Sequence, residues 1–187
     1  MTGAGAAIRA GGIVAYPTEG VWGLGCNPAD GEAVRRLLAL KGRPADKGLI
    51  LLAADFDQLT PWIAPLDAAT RRRLEATWPG PVTWIVRAAR DCPPWLTGGR
   101  DTVAVRVTAH PPARELALAA GTALVSTSAN PTGEPPLASA AAIRERFGTA
   151  LEAVVDAPLG GLSGPTEIRE APSGRVIRPA ARGAGPG

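Results

Sequence analysis

Residues 30–53, DGEAVRRLLALKGRPADKGLILLA, predict a helix, a tight turn and a buried strand in immediate succession. Asp30 is a typical N-cap for an amphipathic helix over 30–41, and Gly42 suits the left-handed residue that ends it. The run at 48–53 is apolar throughout, as in a strand that is covered on both faces. A helix that leads into such a strand is a building unit of α/β proteins.

The same alternation of strands and helices continues outward along the chain. Further β-branched runs predict strands over 12–18, 82–88, 102–108, 123–129, 153–157 and 174–178. Further apolar periodicities predict helices over 66–77, 111–120 and 139–147. We therefore expect an α/β protein, with one domain over 1–178 built on a twisted mixed sheet flanked by helices. The segment PAARGAGPG, 179–187, has little side chain to bury and is expected to be a flexible tail.

Composition excludes several classes of function. The 187 residues suit a single domain, 45% of them are hydrophobic, and no apolar run is long enough to cross a bilayer. No secretory signal precedes the first strand, so a cytoplasmic location is expected. Two cysteines and one histidine are too few for a disulfide framework, a zinc site or a Ser–His–Asp enzyme. The net charge of +3 allows an anionic ligand or nucleic acid without requiring either.

The positive charges are distributed unevenly. The chain has 18 arginines and two lysines, and both lysines fall in the turn between the first helix and the buried strand. There Lys41, at the helix end, and Arg43 are both expected in an exposed loop, and together with Lys47 they could form a cradle for phosphate or carboxylate groups. The alternative is a solvated basic helix C-terminus that the helix dipole favours.

Two other segments place polar groups where a ligand could bind. The strand in VSTSAN, 125–130, runs directly into Ser128 and Asn130, and ligands of α/β sheets collect at the ends of strands. A Ser/Asn-rich turn is the alternative for this segment. Alternation in TVAVRV, 102–107, places Arg106 in mid-strand opposite the valines, where it needs either an anionic ligand or a structural ion pair.

The glycines of YPTEGVWGLG, 16–25, follow the order G-x-x-G-x-G, which differs from the G-x-G-x-x-G of dinucleotide-binding loops. No Walker phosphate-binding loop occurs in the sequence. If ATP binds to this chain, it therefore binds without a standard phosphate loop. The residues alone indicate an α/β domain with an anion-binding cleft.

Six motifs, taken together, resemble the YrdC/TsaC family over residues 8 to about 178. They are YPTEGVWGLGCNP, LKGRPADKGLILL, WPGPVTWIV, TVAVRVTAHP, VSTSANPTGEPP and GPTEIRE…GRVIR, in the order and spacing of that family. The chain is most similar to its short bacterial members. This resemblance implies a YrdC-like fold with a basic concave cleft.

The resemblance also implies an activity. L-threonine, bicarbonate and ATP would be converted to threonylcarbamoyl-adenylate and pyrophosphate, with Mg²⁺ on the pyrophosphate oxygens and no metal ligand from the protein. The product would supply the t6A modification at adenosine 37 of tRNA, through threonylcarbamoyl-transfer proteins of the TsaD/TsaB/TsaE type. Direct contact with tRNA or double-stranded RNA stays open.

The family's K-x-R and S-x-N signatures correspond to Lys41 with Arg43 and to Ser128 with Asn130. The resemblance implies that Lys41 and Arg43 are catalytic. It implies that the ATP-binding residues are Arg43, Lys47, Thr102, Asn130 and Arg178. It implies that the threonine-binding residues are Thr18, Arg106, Ser128 and Thr166.

The sequence departs from the family pattern at two places near the threonine site. Gly20 stands where many relatives have a second threonine, and Pro165 stands where a serine is frequent. Two alternative functions follow from the same family. One is double-stranded RNA binding in ribosome maturation, for which a charge of +3 gives little support. The other is carbamoyl-adenylate chemistry in hydrogenase maturation, which goes with zinc-finger and acylphosphatase modules absent from this sequence.

Overall fold

In the computed structural model of the protein, residues 1–181 are described, and they form a nine-stranded sheet flanked by helices. The helices are α1 (Thr2–Arg9), α2 (Gly31–Lys41), α3 (Ala68–Glu75), α4 (Pro94–Thr97), α5 (Pro111–Ala120) and α6 (Ala140–Phe147). The strands are β1 (Val14–Pro17), β2 (Trp22–Gly25), β3 (Ile50–Ala53), β4 (Val82–Arg87), β5 (Thr102–Val107), β6 (Leu124–Ser128), β7 (Ala153–Val154), β8 (Glu167–Glu170) and β9 (Val176–Arg178). Short 3₁₀ turns lie at Ala45–Lys47, Asp57–Leu59 and Gly148–Ala150.

The sheet is mixed, as the sequence predicted. Its strand order is β7-β1-β2-β6-β3-β5-β4-β8-β9. Strand β3 pairs parallel with β5 and antiparallel with β6, so it lies in the middle of the sheet. The α/β prediction is therefore confirmed, and the two strands that flank β3 bring the start of TVAVRV and the end of VSTSAN towards the loop that precedes it.

The helix–turn–strand unit at 30–53 forms as its residues dictate. The Asp30 carboxylate accepts hydrogen bonds from the backbone N–H groups of Glu32 and Ala33, both at 3.0 Å, and so caps α2. At the other end Gly42 has φ 58°, the left-handed conformation that a side chain disfavours. In β3, Leu51 belongs to the larger hydrophobic core and Leu52 to the smaller one, which explains the uninterrupted apolar run.

Four helices and strands were not predicted: α1, β2, β8 and the one-turn helix α4. Helix α1 has a Gly/Ala-rich sequence and no side-chain N-cap. It is stabilised by close packing on α5, where a Cβ on Gly5 would lie 2.7 Å from the Ala119 Cβ. Strand β2 forms a hairpin with β1 where a glycine loop was considered. Strand β8 carries the sequence EIRE, which has no apolar run to reveal it.

The predicted ends are close to the observed ones for most elements, but the strand expected over 153–157 contains only two residues. Of the tail predicted over 179–187, residues 179–181 are described, and Ala181 hydrogen-bonds to the loop at 163–165. Residues 182–187 of that prediction lie outside the described residues. Within 1–181, the helices are all too short or too polar to cross a membrane.

Candidate active site

Two adjoining cavities, of about 150 and 290 Å³, share four lining residues. The shared residues are Arg43, Leu49, Ile50 and Arg178. The first, which we call the Arg106 cavity, is also lined by Thr18, Ser128 and Thr166. The second, which we call the Lys47 cavity, is also lined by Lys47 and Thr102. The structure thus brings the four residues of the predicted threonine set together, and it places four of the five predicted ATP residues beside them.

Arg106 projects from β5 into the first cavity, although only 4% of its surface is exposed. Its Nη1 donates a hydrogen bond to the Thr166 hydroxyl at 2.6 Å, and its Nη2 lies 3.3 Å from the Glu19 carboxylate. Its Nε is buried and has no hydrogen-bond partner. Of the alternatives that the sequence left open, the structural ion pair is present, and Arg106 also faces a cavity.

Glu19 is a residue that sequence reasoning did not single out. It occupies the turn between β1 and β2, and its Oε1 accepts a hydrogen bond from the Thr108 hydroxyl at 2.7 Å. It is the only acidic residue among those buried in the described part of the chain. The sequence did contain a signal for Glu19, the carboxylate in YPTEG. The other charged groups that the motifs place near the cavities are cations.

Some hydroxyls of the Arg106 cavity already make hydrogen bonds within the protein. Thr18 donates from Oγ1 to the Val21 carbonyl at 2.7 Å, which closes the β1–β2 turn. Thr166 accepts from Arg106, and its carbonyl accepts from Nη2 of Arg178 at 2.7 Å. Ser128, at the end of β6, lines the cavity through a partly exposed side chain. A ligand would therefore meet a preformed polar wall.

Arg43 and Arg178 form the cationic part of the shared wall. Arg43 donates from Nη2 to the Gly48 carbonyl at 3.0 Å, while its Nε is buried without a partner. Burial lowers the pKa of Arg43, and burial together with the neighbouring Arg106 lowers the pKa of Arg178. Guanidinium groups held in this way are desolvated donors for an anion.

Lys41 does not lie where the sequence analysis placed it. The expectation of an exposed side chain is wrong, since Lys41 is only 3% exposed and lines neither of the two cavities. Its ammonium donates to the Asn130 carbonyl at 2.5 Å and also to the Ser128 carbonyl, while its own carbonyl accepts from Thr132. Burial, and to a lesser extent Arg43, lower the pKa of Lys41 to about 8. Lys41 therefore fastens the loop after β6 to the end of α2.

A signal for this burial was present in the sequence. Val34, Leu37, Leu38 and Lys41 follow the spacing i, i+3, i+4 and i+7, so all four belong to the same helix face. The three apolar residues form part of the larger core. A lysine that completes such a face reaches across the core edge to polar atoms, and here it reaches backbone carbonyls.

Asn130, predicted on the ATP side, also lines neither cavity. Its amide donates to the carbonyls of Pro131 and Glu134, at 3.0 and 2.6 Å, so it shapes its own loop. Its Oδ1 is buried and has no partner. The S-x-N segment therefore contributes the Ser128 side chain to the cavity, whereas Asn130 supports the loop beneath it.

The two departures from the family pattern meet at one point. The loop before β8 lies on the β1–β2 turn, where the Leu162 N–H donates to the Glu19 carbonyl at 2.9 Å. A Cβ on Gly20 would lie 1.9 Å from the Gly164 carbonyl oxygen, a distance that no side chain allows. Pro165 follows in the same loop and lines the Arg106 cavity. The absence of a side chain at Gly20 therefore permits the close approach of this loop.

Groups for metal or nucleophilic chemistry are scarce around the cavities. Within residues 1–181, no group of three or more His, Cys, Asp and Glu side chains could hold a metal ion. Cys26 and Cys92 are free thiols, and burial raises the pKa of both. The site can therefore bind and orient anions, and the residues that line its two cavities include neither Cys nor His.

Comparisons with known proteins show which sequences and structures this chain resembles. The family model Sua5_yciO_yrdC, described as "Telomere recombination", matches residues 6–180. The threonylcarbamoyl-AMP synthase of Halorhodospira halophila is 55% identical over 175 residues, which cover 94% of this chain and 92% of that protein. The enzyme of the same name from Nitrosococcus oceani is 54% identical over 171 residues, 91% of this chain and 92% of that protein.

A solved structure shows the same fold. The structure of P. abyssi Sua5 complexed with L-threonine superposes with a TM-score of 0.88 at 35% identity, and the match covers 95% of this chain. It covers 53% of the Sua5 chain, so this chain spans about half the length of that protein. With a family model that matches nearly the whole chain and relatives above 50% identity, the chain belongs to the Sua5/YciO/YrdC family.

Proposed function

We propose that this chain is a threonylcarbamoyl-AMP synthase, which makes threonylcarbamoyl-adenylate and pyrophosphate from L-threonine, bicarbonate and ATP. The observation that carries the proposal is the pair of adjoining cavities that share Arg43 and Arg178. One cavity suits a small polar amino acid and the other suits a polyphosphate, so the wall between them is the place where the two could react. The names of the most similar relatives support the same activity.

In this proposal the Arg106 cavity binds threonine. Arg106 binds the carboxylate, because a guanidinium with a free, buried N–H gains most from a charge-assisted bond. The hydroxyls of Thr18, Ser128 and Thr166 complete the polar wall. That P. abyssi Sua5 has been solved in complex with L-threonine supports this part of the proposal.

The Lys47 cavity then binds ATP. Lys47, Thr102 and the shared Arg43 and Arg178 would contact the nucleotide, with the two arginines nearest to the reacting phosphate. Asn130 acts through the loop that carries Ser128. Lys41, predicted from the resemblance to be catalytic, acts in this proposal as a positioning residue for the same loop.

The chemistry requires few protein groups. The amine of threonine first adds to carbon dioxide with loss of a proton, or to bicarbonate with loss of water, and so becomes a carbamate. The carbamate oxygen then attacks the α-phosphate while pyrophosphate leaves. No covalent enzyme intermediate is needed, which suits cavities whose lining contains neither Cys nor His. Arg43 and Arg178 would bring the anions together and compensate the charge that develops on the phosphates.

Mg²⁺ enters this scheme as part of the nucleotide substrate. The described residues offer no carboxylate cluster to hold it, and the wall of the Lys47 cavity is cationic, so its ligands would be phosphate oxygens. The adenylate product would be consumed in t6A synthesis on tRNA by transfer proteins of the TsaD/TsaB/TsaE type. Double-stranded RNA binding, the alternative function, is not favoured, because the relatives that match nearly the whole chain carry the synthase name.

We expect pyrophosphate release to require ATP, threonine and bicarbonate together. Neither the carbamate nor its attack on ATP can arise when one component is missing, and no phosphate loop supports simple ATP hydrolysis. Pyrophosphate would be measured in a coupled assay, and the adenylate by mass spectrometry, in the complete mixture and with each component omitted. Equal release without threonine would contradict the proposed function.

Replacement of Arg106 by alanine should weaken threonine binding about ten- to a hundredfold, because one charge-assisted contact is lost. ATP affinity should change much less, since Arg106 does not line the Lys47 cavity. Calorimetric titration of each ligand into the variant measures both effects, and Arg90→Ala, an exposed arginine outside both cavities, is the control. A variant that loses ATP and keeps threonine would reverse the assignment of the two cavities.

A further inference from the structure

Glu19 is placed to influence what the Arg106 cavity accepts, although it does not line that cavity. Its side chain is 8% exposed, and that of Arg106 is 5% exposed, so the two charges face each other away from water. The separation of 3.3 Å between Oε2 and Nη2 has no hydrogen-bond geometry, and Oε2 has no other partner. The pair is therefore held by charge, and the remaining donors of Arg106 stay available.

The rest of the network keeps both groups in place. The Thr108 hydroxyl donates to Oε1 of Glu19, and the Thr166 hydroxyl accepts from Nη1 of Arg106. A further charge in the neighbourhood is Arg178, whose pKa is lowered by burial and by Arg106. The Arg106 cavity itself is lined by cations and neutral groups, without an acidic residue. Glu19 is thus the one carboxylate that offsets a cationic wall.

This arrangement affects anions and zwitterions differently. A simple carboxylate that approaches Arg106 is attracted by the guanidinium and repelled by Glu19 a few ångströms behind it. An amino acid carries an ammonium group as well, and its positive charge is attracted by the same Glu19. Discrimination between two ligands often depends on such a repulsive element, in addition to the contacts that favour the correct one.

We propose that Glu19 is a specificity-determining residue, which makes the Arg106 cavity select amino-acid zwitterions over simple carboxylates. This inference rests on the proposed function, in which threonine binds at Arg106. The selection depends on the charge of Glu19, a buried residue that does not line the cavity. Glu19 acts through the electrostatic field at Arg106, and its hydrogen bond to Thr108 fixes the position from which it acts.

The test compares L-threonine with its des-amino analogue, (R)-3-hydroxybutyrate, by calorimetric titration. In the wild-type protein we expect threonine to bind at least about tenfold more tightly, an effect of one unit charge at short range. Glu19→Gln keeps the size of the side chain and its capacity to bond to Thr108, but it removes the charge. In this variant the preference should fall by about tenfold or more, through weaker threonine binding and stronger 3-hydroxybutyrate binding.

The ratio of the two affinities separates selection from simple structural damage. A variant whose site is merely distorted would lose both ligands in parallel, and an unchanged ratio in Glu19→Gln would overturn the inference. Glu19→Asp retains the charge and should keep the wild-type preference within about threefold, well below the tenfold effect expected for loss of the charge. Glu75→Gln, which removes an exposed carboxylate paired with Arg71 on α3, should leave both affinities unchanged.

Two further outcomes keep the inference and the proposed function distinct. If Glu19→Gln does not fold, the wild-type ratio still decides, because equal binding of threonine and 3-hydroxybutyrate would overturn the role of Glu19. If the wild-type protein binds no threonine and releases no pyrophosphate in the complete mixture, the proposed function itself fails. Normal synthesis with an unchanged ratio in Glu19→Gln would overturn the inference alone.

Discussion

Arg43→Ala is expected to lower the rate of pyrophosphate release at least about 100-fold, the largest loss of activity that we anticipate for a single substitution. Arg43 lines both cavities, so its removal takes charge from the place where the carbamate and the α-phosphate would meet. The fold should persist, since the side chain makes one hydrogen bond, to Gly48, and its loss costs about 1 kcal/mol. Steady-state kinetics with each substrate varied, together with thermal unfolding, measure the two effects.

Two companion variants make this result specific. Arg43→Lys keeps the charge and loses the planar fork, so it should recover only part of the rate. Arg35→Ala removes an exposed arginine of α2 that pairs with Glu32, and it should behave as the wild-type protein. A rate for Arg43→Ala within about threefold of wild type, far less than removal of a key donor normally costs, would mean that Arg43 has no part in the reaction.

Lys41→Met should have its main effect on stability, with a loss of about 2–3 kcal/mol in the free energy of unfolding. The substitution leaves the carbonyls of Ser128 and Asn130 without their donor at a buried position, which costs more than an exposed contact would. Activity should fall as well, because the loop that carries Ser128 is no longer fastened to α2. Urea-induced unfolding, monitored by tryptophan fluorescence, measures the stability.

The second lysine of the chain supplies the matched control. Lys47 is exposed in the 3₁₀ turn after Arg43, so Lys47→Met should change the free energy of unfolding by no more than about 0.5 kcal/mol. It should instead raise the KM for ATP, because Lys47 lines only the second cavity. Equal stability of the two variants would contradict the role assigned to Lys41.

These contrasts show how far the sequence could predict the site. The caps of α2 and the apolar run of β3 depend on neighbouring residues, so local chemistry predicted both elements correctly. Arg106 could be placed in mid-strand by alternation alone, but its partner could not. Glu19 is 87 positions away along the chain, and their pairing depends on how the β1–β2 turn packs against β5.

The burial of Lys41 and the strand β2 were not predicted, for a different reason. In both cases the sequence contained the necessary pattern. Lys41 completes the apolar face of α2, but a lysine next to Arg43 suggested a shared role in the cleft. In β2, Trp22 and Leu24 alternate with two glycines, and both apolar side chains enter the core. The glycines drew attention to a phosphate loop, whereas here Gly25 allows Val125 of the neighbouring strand region to approach.

The contact between Gly20 and the Gly164 carbonyl has a consequence for inhibitor design. A family member with threonine at this position would have to hold the loop before β8 farther from the turn, and we expect this to widen the rim of the corresponding cavity. A compound that filled that wider rim would find the space occupied by backbone in this protein. Selective inhibitors within the family should therefore be sought at the rim, whereas compounds directed at Arg43 and Arg106 address groups on which the proposed chemistry depends.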